Sequence, residues 1–498
     1  MTSSTLITAI AAPSTQPAVI IPPLDLTLTY SHLHDLITKF QHSLAAIGIS
    51  PNDAVSISLP NTLEFIVIFL AVGAQRAIAA PLNPNYKQEE FEFYIDDLKS
   101  KLVIIPRRGD VGMDSPAARA ARRFGAGVAE VWWDGQEVKI EAKEEDVALV
   151  LHTSGTTGRP KAVPLTHKNL TTTMYNIQAT YELAPEDRTM LVMPLFHVHG
   201  LLAGFLAPLR SGGTVVVPPR FSASEFWKDF IKYKANWYTA VPTIHQILLK
   251  NTLPSPVPRI RFIRSCSSPL SPATFEALEK ALNAPVLEAY AMTEAAHQMT
   301  SNPLPTNGPR YPGSVGKGMG VSVRILDDKG NELPHDTQGE ICIRGPNVTS
   351  GYINNPAANV SSFYPNGYFR TGDMGTIDAA GYVRITGRIK EMINRGGEKI
   401  APVELDNVLA SHPAVAEAVC FALESELYGQ EVGAAVVLKE GKKVSEGELK
   451  GWLGERVVKF KVPKRVWFTE VMPKTATGKV QRRMVAEEMV KSNQKAKL

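Results

Sequence analysis

Cysteine is scarce: Cys266, Cys342 and Cys420 are the only three in 498 residues, and they stand far apart. An odd, scattered set supports neither a disulfide framework nor a zinc cluster, and it fits a reducing compartment. No apolar run reaches the roughly 20 residues that cross a bilayer, so no membrane span is expected. The longest, FIVIFLAVGA, stops at Gln75 and Arg76 and reads as a buried helix. The N-terminal stretch carries no positive charge ahead of its weakly apolar part, so it is not expected to act as a secretory signal. An excess of one charge is missing too: 53 Lys and Arg against 49 Asp and Glu leave a net +4. Without a basic stripe interleaved with aromatics, nucleic acid is not an expected partner. Internal repeats and long low-complexity tracts are absent.

Small and hydroxyl-bearing residues are instead concentrated in one place, TSGTTGRPK, residues 153 to 161. Glycines let a backbone approach an anion closely, hydroxyls and bare amides donate to its oxygens, and a lysine balances the charge. The stretch follows VALVLH, a buried-strand pattern, and precedes LTHKNLTTTMYNI, which reads as a helix start. It is a phosphate loop outside the G-x-x-x-x-G-K-[ST] rule, because Gly155 and Gly158 are too close and Pro160 intervenes.

At this length at least two domains are expected. Between 213 and 294 strand and helix patterns alternate: GTVVVP, SASEFWKDFIKYK with Ser222 and Glu225 as a capping box, ANWYTAVPT, TIHQILLK, IRFIRSCSS, SPATFEALEKAL with Ser271 and Pro272 at its start, and PVLEAYAMTE. Such alternation predicts a parallel sheet covered by helices, with ligands at the carboxyl ends of its strands. That rule points to the residues after SCSS and AYAMTE, and it places the phosphate loop on the same rim. The segment from GEICIRGPNVTSGYINNP to GYVRITGRIKEMINRGGEKI predicts an antiparallel barrel or meander. After it, VAEAVCFALE, EVGAAVVLKEG, SEGELKGWLGERVV (Ser445 with Glu448) and KRVWFTEV form a compact α+β unit.

TSGTTGRPK, PLFHVHG, AYAMTE, YFRTGD, GRIKEMINRGGEKIAPVELD and PKTATGKVQRR occur in the order and rough spacing of the adenylate-forming enzymes. Over nearly its whole length the chain resembles that family of acyl-CoA synthetases, peptide-synthetase adenylation domains and firefly-type luciferases. The resemblance implies an α/β fold with a large N-terminal AMP-binding domain of layered parallel sheets and a barrel-like subdomain, residues 1–387. A hinge at 388–391 and a small mobile α+β domain, 392–498, complete it. It implies that Thr153, Ser154, Gly155, Thr156, Thr157 and Gly158 cradle ATP phosphates, with Lys161 as countercharge. Tyr290 would face adenine, Thr293 the α-phosphate, and Glu294 would ligate Mg²⁺. Asp373 would take the ribose hydroxyls, assisted by Arg388. Lys479 would bridge the substrate carboxylate and the α-phosphate during in-line attack. Lys390 would be the pivot, Arg395, Gly396 and Gly397 would line a coenzyme A channel, and His197 would gate it.

Two departures from the common family pattern concern the acid. SCSSPL replaces small apolar residues, and Ala291 replaces the usual Gly of YGMTE, with His297 following in AAHQM. Ser267, Ser268 and His297 are hydrogen-bond donors, suited to a small polar acid or one with a second carboxylate. RSCSSPLSP and LEAYAMTEAAHQMTSNPLP resemble the oxalyl-CoA synthetases of fungi and plants, which implies oxalate as substrate, with Ser267 and His297 on its distal carboxylate and His199 or Arg264 assisting. A medium-chain or aryl acyl-CoA synthetase, a carrier-protein-loading adenylation enzyme and a luciferase-like oxygenase share the adenylation motifs and stay open. Ala496-Lys497-Leu498 is close to the S-K-L address, so a peroxisomal import receptor is an expected partner and the peroxisome, or else the cytosol, the expected compartment.

Overall fold

The structure, a computed structural model, describes residues 5–106, 115–130, 147–153, 161–353, 355–473 and 480–495. Expectations placed on residues 154–158, on Lys479 and on Ala496-Lys497-Leu498 lie outside the described residues, and for Thr153 only the backbone is described.

Two sheets and the helices that cover them build the large domain. In the six-stranded sheet the order is Gly127–Glu130, Leu102–Ile105, Ala54–Ile57, Ile78–Pro81, Val147–Thr153 and Lys161–Thr166. All neighbours are parallel except the last pair. The nine-stranded sheet runs Lys317–Gly318, His297–Ser301, Val286–Met292, Phe262–Ser265, Trp237–Ala240, Arg188–Leu191, Thr214–Val216, Pro17–Ile21, Leu26–Thr29. Its six central strands are parallel and its edges antiparallel. Parallel strands need both faces covered, which explains why their sequences are apolar throughout rather than alternating.

FIVIFLAVGA is the interior of helix Leu63–Ala74; Thr62 caps it by accepting from Phe65 N, and every residue from Phe65 to Ala74 is buried. Each such Leu, Ile, Val or Phe stabilises the fold by about 1.5–3 kcal/mol over an exposed one. Ser271 caps Pro272–Leu282, whose Phe275, Leu278 and Leu282 face inward, and Ser445 with Glu448 forms a complete capping box. The box expected at Ser222 and Glu225 does not form. The helix there is Phe226–Lys232, Glu225 is its N-cap without a side-chain capping bond, and Ser222 Oγ pairs with Ser224 Oγ at 3.1 Å. Three residues of turn intervene where the pattern predicted helix.

A second difference concerns the phosphate loop. Strand Lys161–Thr166 folds back antiparallel on Val147–Thr153, so residues 154–160 connect a strand pair, and the helix His167–Tyr181 starts only after that strand. The loop therefore is not a strand-to-helix connection.

Beyond the nine-stranded sheet, Ser322–Leu326, Gly339–Arg344, Phe369–Ile377 and Val383–Arg388 form a four-stranded antiparallel meander. The chain leaves it at Arg388, makes a 3₁₀ turn over Ile389–Glu391, and enters a five-stranded sheet at Ile393–Arg395. That sheet, with helices Pro402–Ala410, Glu446–Gly454 and Arg482–Lys495, has its own apolar core around Leu405, Leu409, Val432 and Leu449. Among the described residues no helix is long and apolar enough to cross a membrane.

Candidate active site

The strand Val286–Met292 ends in a 3₁₀ turn, Thr293–Ala295; Ala296 (φ 48°) and His297 (φ 102°) follow in left-handed backbone, and the chain returns antiparallel with Met292 opposite His297. Consecutive positive φ values at residues with a Cβ are costly, of the order of 1–3 kcal/mol each, and such strain gathers at functional sites. The turn puts Thr293 at the edge of the fold, half-buried, and Glu294 inside.

Here the meander meets the sheet. Tyr290, buried, donates its hydroxyl to Asp373 Oδ2, and Arg388 Nε lies 3.1 Å from Asp373 Oδ1. Asp373 and Arg388 are cross-strand partners, which fixes this pairing by register. Burial, then the neighbouring Asp373, pushes the Tyr290 hydroxyl well up, so it stays a donor. The Tyr290 hydroxyl is thus committed to the carboxylate expected for ribose, leaving its ring as the part that adenine could meet.

Glu294 Oε1 accepts from Tyr352 Oη at 2.8 Å, and the Lys161 ammonium lies 4.4 Å from the centre of the Tyr352 ring. Burial raises the Glu294 carboxyl; the Tyr352 bond and the charges of Lys161 and Arg388 oppose it. Tyr352 is held in turn: Thr349 N donates to Glu294 O at 2.7 Å, and Ile353 N to Ala162 O at 3.0 Å. These bonds bring Lys161, Glu294 and Tyr352 together, and Tyr352 was not among the residues singled out from the sequence. Among the described residues no three His, Cys, Asp or Glu side chains form a metal cage. A lone carboxylate suits a Mg²⁺ that travels with nucleotide phosphates, since that ion keeps its waters and takes only one or two protein carboxylates.

On the acyl side, Thr239 and Arg264 are cross-strand neighbours in parallel strands, and Ser267 follows the second of these. Ser267 is half-buried with φ 73°, and Ser268 beside it is half-buried too. His199 opens a π-helical segment, His199–Leu206, a rare geometry that often marks function. A Cβ at Gly200 would sit 2.2 Å from Pro194 O, so only glycine lets this segment pack there. His199 Nδ1 lies 3.0 Å from Ser267 Oγ and its Nε2 2.6 Å from Thr239 Oγ1. His297 stacks on His199, ring centres 5.3 Å apart; it is 1% exposed, and both its ring nitrogens have no partner among the described residues. Burial, then the Arg264 charge, pushes both imidazoles well below their ordinary value, so they are neutral.

Arg264 departs from the expected direct contact. It is fully buried, and its guanidinium is committed to Tyr181 Oη (2.7 Å), Thr239 Oγ1 (3.1 Å) and Gln298 Oε1 (3.2 Å). Thr239 stands between it and His199, so it reaches that histidine only through the threonine hydroxyl. His197 is half-buried and its Nδ1 accepts from His199 N at 3.2 Å. Next to it, a cleft of about 740 Å³ between the two large sheets is lined by Asn61, Asn83, Met193, Pro194, Phe196 and Arg220, among others.

Lys390 is exposed in the turn between the two sheets. Arg395 lies over the Tyr428 ring at 3.9 Å and 3.5 Å from Glu431, while Gly396 (φ 59°) and Gly397 (φ 96°) turn the hairpin and are exposed. The expected channel residues therefore sit on the small domain's surface.

An enzyme with a large α/β domain, a meander and a small C-terminal domain is the class this arrangement defines. The AMP-binding enzyme model matches residues 8–353 and the AMP-binding enzyme C-terminal domain 404–479, and the chain belongs to this family of AMP-binding enzymes. It is 48% identical to the oxalate–CoA ligase of Saccharomyces cerevisiae, over 97% of this chain and 96% of that one. With the oxalate–CoA ligase of Arabidopsis thaliana it shares 50% identity over 92% and 93%. Its structure resembles that of ATP-bound MatB from Rhodopseudomonas palustris, with a TM-score of 0.90, 30% identity and 97% of each chain covered.

Proposed function

We propose that this enzyme is an AMP-forming acid–CoA ligase that joins oxalate to coenzyme A at the expense of ATP. The observation that carries the substrate reading is His297, buried, without a partner among the described residues, and stacked on the His199 that bonds Ser267. Two neutral donors, Ser267 and His297, both against His199, suit an acceptor-only group, a second carboxylate, and are wasted on a fatty tail. Half-identity to two curated oxalate–CoA ligases supports the same reading.

In the proposed reaction one oxalate carboxylate attacks the α-phosphate of ATP in line, pyrophosphate leaves, and an acyl-adenylate forms. The thiol of coenzyme A then attacks that carbonyl and AMP leaves. Asp373, held by Tyr290 and Arg388, would accept from the ribose hydroxyls with its remaining lone pairs. Thr293 would donate to the α-phosphate, and residues 153–158 with Lys161 would hold the outer phosphates. Glu294 would take the nucleotide's Mg²⁺, whose charge would offset that of the phosphates. Lys479 would neutralise charge building at the reacting oxygens. The thiol would arrive past His197 from the neighbouring cleft, with Arg395, Gly396 and Gly397 closing over it after rotation about Lys390.

The test is pyrophosphate release, with ATP, Mg²⁺ and coenzyme A, across oxalate, malonate, acetate, octanoate and 4-coumarate, repeated with His297→Ala. Turnover on oxalate, falling at least about 100-fold in the variant, is expected for a lost donor to a buried charge. Turnover confined to octanoate or 4-coumarate would keep the nucleotide reading and discard the oxalate one.

A further inference from the structure

Arg264 has an environment unusual for arginine. It is 0% exposed on an interior strand, and no carboxylate among the described residues pairs with it. Its partners are a phenol, a threonine hydroxyl, a carboxamide oxygen and the Cys266 thiol, none of them a carboxylate. Arginine is almost never buried in this way without a counter-charge, because desolvation is then only partly offset.

Guanidinium groups only donate, and among the described residues His199 Nε2 is the only hydrogen-bond acceptor within reach of the Thr239 hydroxyl; together these set the direction downstream. Thr239 Oγ1 accepts from Arg264 Nη1 at 3.1 Å, so its own hydrogen is free for its other neighbour, His199 Nε2 at 2.6 Å. Nε2 is then the acceptor of a neutral imidazole, and the proton sits on Nδ1, which donates to Ser267 Oγ at 3.0 Å. With its oxygen accepting, Ser267 has its O–H left to give away. It is half-buried, and left-handed backbone turns it from the strand that carries Arg264. His297, with no partner on either nitrogen among the described residues, lies against the same His199 ring.

We propose that Arg264 is a positioning residue: it orients the Thr239–His199–Ser267 chain so that Ser267 presents a donor, and its uncompensated charge selects acids whose distal end is anionic. The inference rests on the reading that the distal carboxylate meets Ser267 and His297. It adds the reason a neutral isostere is refused. A neutral amide in place of that carboxylate brings its own donors to a place that offers donors, and leaves the buried cation unanswered.

The experiment compares oxalate with oxamate, its monoamide of nearly equal size, in wild type, Arg264→Met, Thr239→Val and Thr239→Ser. Arg264→Met is expected to lower kcat/KM for oxalate about 100-fold and for oxamate by less than about fivefold, so the ratio between the acids collapses while the KM for ATP stays put. Thr239→Val keeps the cation and breaks the chain; it should also lower the oxalate-to-oxamate ratio, and Thr239→Ser should restore it. An unchanged ratio in Arg264→Met, or an equal fall on both acids together with a raised KM for ATP, overturns the proposal. Should Arg264→Met not fold, the Thr239 pair decides: the proposal stands if valine lowers the ratio and serine restores it, and falls otherwise. A wild-type enzyme that does not turn over oxalate overturns the substrate reading and this one together, whereas oxalate turnover with an unmoved ratio overturns this one alone.

Discussion

Asp373 has one oxygen on Tyr290 and the other near Arg388, so two side chains hold its carboxylate in a fixed orientation. A hydrogen bond to a charged group contributes about 1.5–3 kcal/mol. In the proposed role Tyr290→Phe keeps the ring and loosens the carboxylate. The KM for ATP is expected to rise about tenfold with little change in kcat, equivalent to about 1.4 kcal/mol of binding. Steady-state kinetics varying ATP at saturating oxalate and coenzyme A would check it, and a fall in kcat at constant KM would speak against it. Tyr290, Asp373, Glu294 and Arg388 were legible because each stands in a motif whose spacing repeats across a family. Tyr352 and Thr239 were not: one lies in a segment read only for its short strands, the other inside a buried strand pattern, and nothing in a linear sequence joins 352 to 294 or 239 to 264. Arg264 was legible as a polar residue near the acid but not as one facing away from it, because period-2 reasoning does not say what the neighbouring strand contributes.

Among the elements, the strand Val286–Met292 carries both the proposed adenine-facing residue and a titrating one. Glu288 is buried; its Oε1 accepts from Gly313 N at 2.8 Å, yet burial lifts its carboxyl from an ordinary 4.5 to about 7. The folded protein therefore keeps a proton that the unfolded chain has released. Its contribution to stability is present below pH 4.5 and is lost as pH rises through 7. Glu288→Gln mimics the protonated form, so relative to wild type it should gain about 3 kcal/mol between pH 4.5 and pH 7.5. Urea unfolding at the two pH values measures this, and an equal offset at both would contradict it. Helix caps show where element-level reading works and where it stops. Ser445 with Glu448 forms its box, while Ser222 with Glu225, an equally good pattern, is spent on a turn ahead of Phe226. The apolar residues Phe226, Trp227 and Phe230 pack into one cluster, and that burial, rather than the cap, sets where the helix begins. The π-helical turn at His199 and the left-handed backbone at Ser267 and His297 carry no sequence signal, since both are imposed by packing that local propensity does not encode.

At the scale of the whole molecule, two groups of ion pairs among the described residues flank Lys390. Arg388 with Asp373 lies within the meander, and beyond the turn Arg482 binds Glu391 (3.0 Å), Asp406 (2.6 Å) and Cys420 O (2.8 Å). Rotation about Lys390 would carry the second set as a unit and keep Arg388 with Asp373, while changing the separation of Arg388 from Glu391, whose charge it feels across the turn. Arg482 is three residues past Lys479 in the sequence, and in such a rotation it would travel with the small domain. If Lys479 serves only the adenylation half, its loss separates the two chemical steps. Lys479→Ala should lower oxalate-dependent ATP–pyrophosphate exchange by at least about 10²–10³, the range for removing one charge-stabilising group. Coenzyme A-dependent consumption of supplied oxalyl-adenylate should stay within about threefold of wild type, because rotation about Lys390 would have carried Lys479 away from the reacting carbonyl before the thiol attacks. Equal loss of both steps would mean that the lysine is needed in each arrangement, and that the two halves of the reaction share one geometry rather than alternating between two.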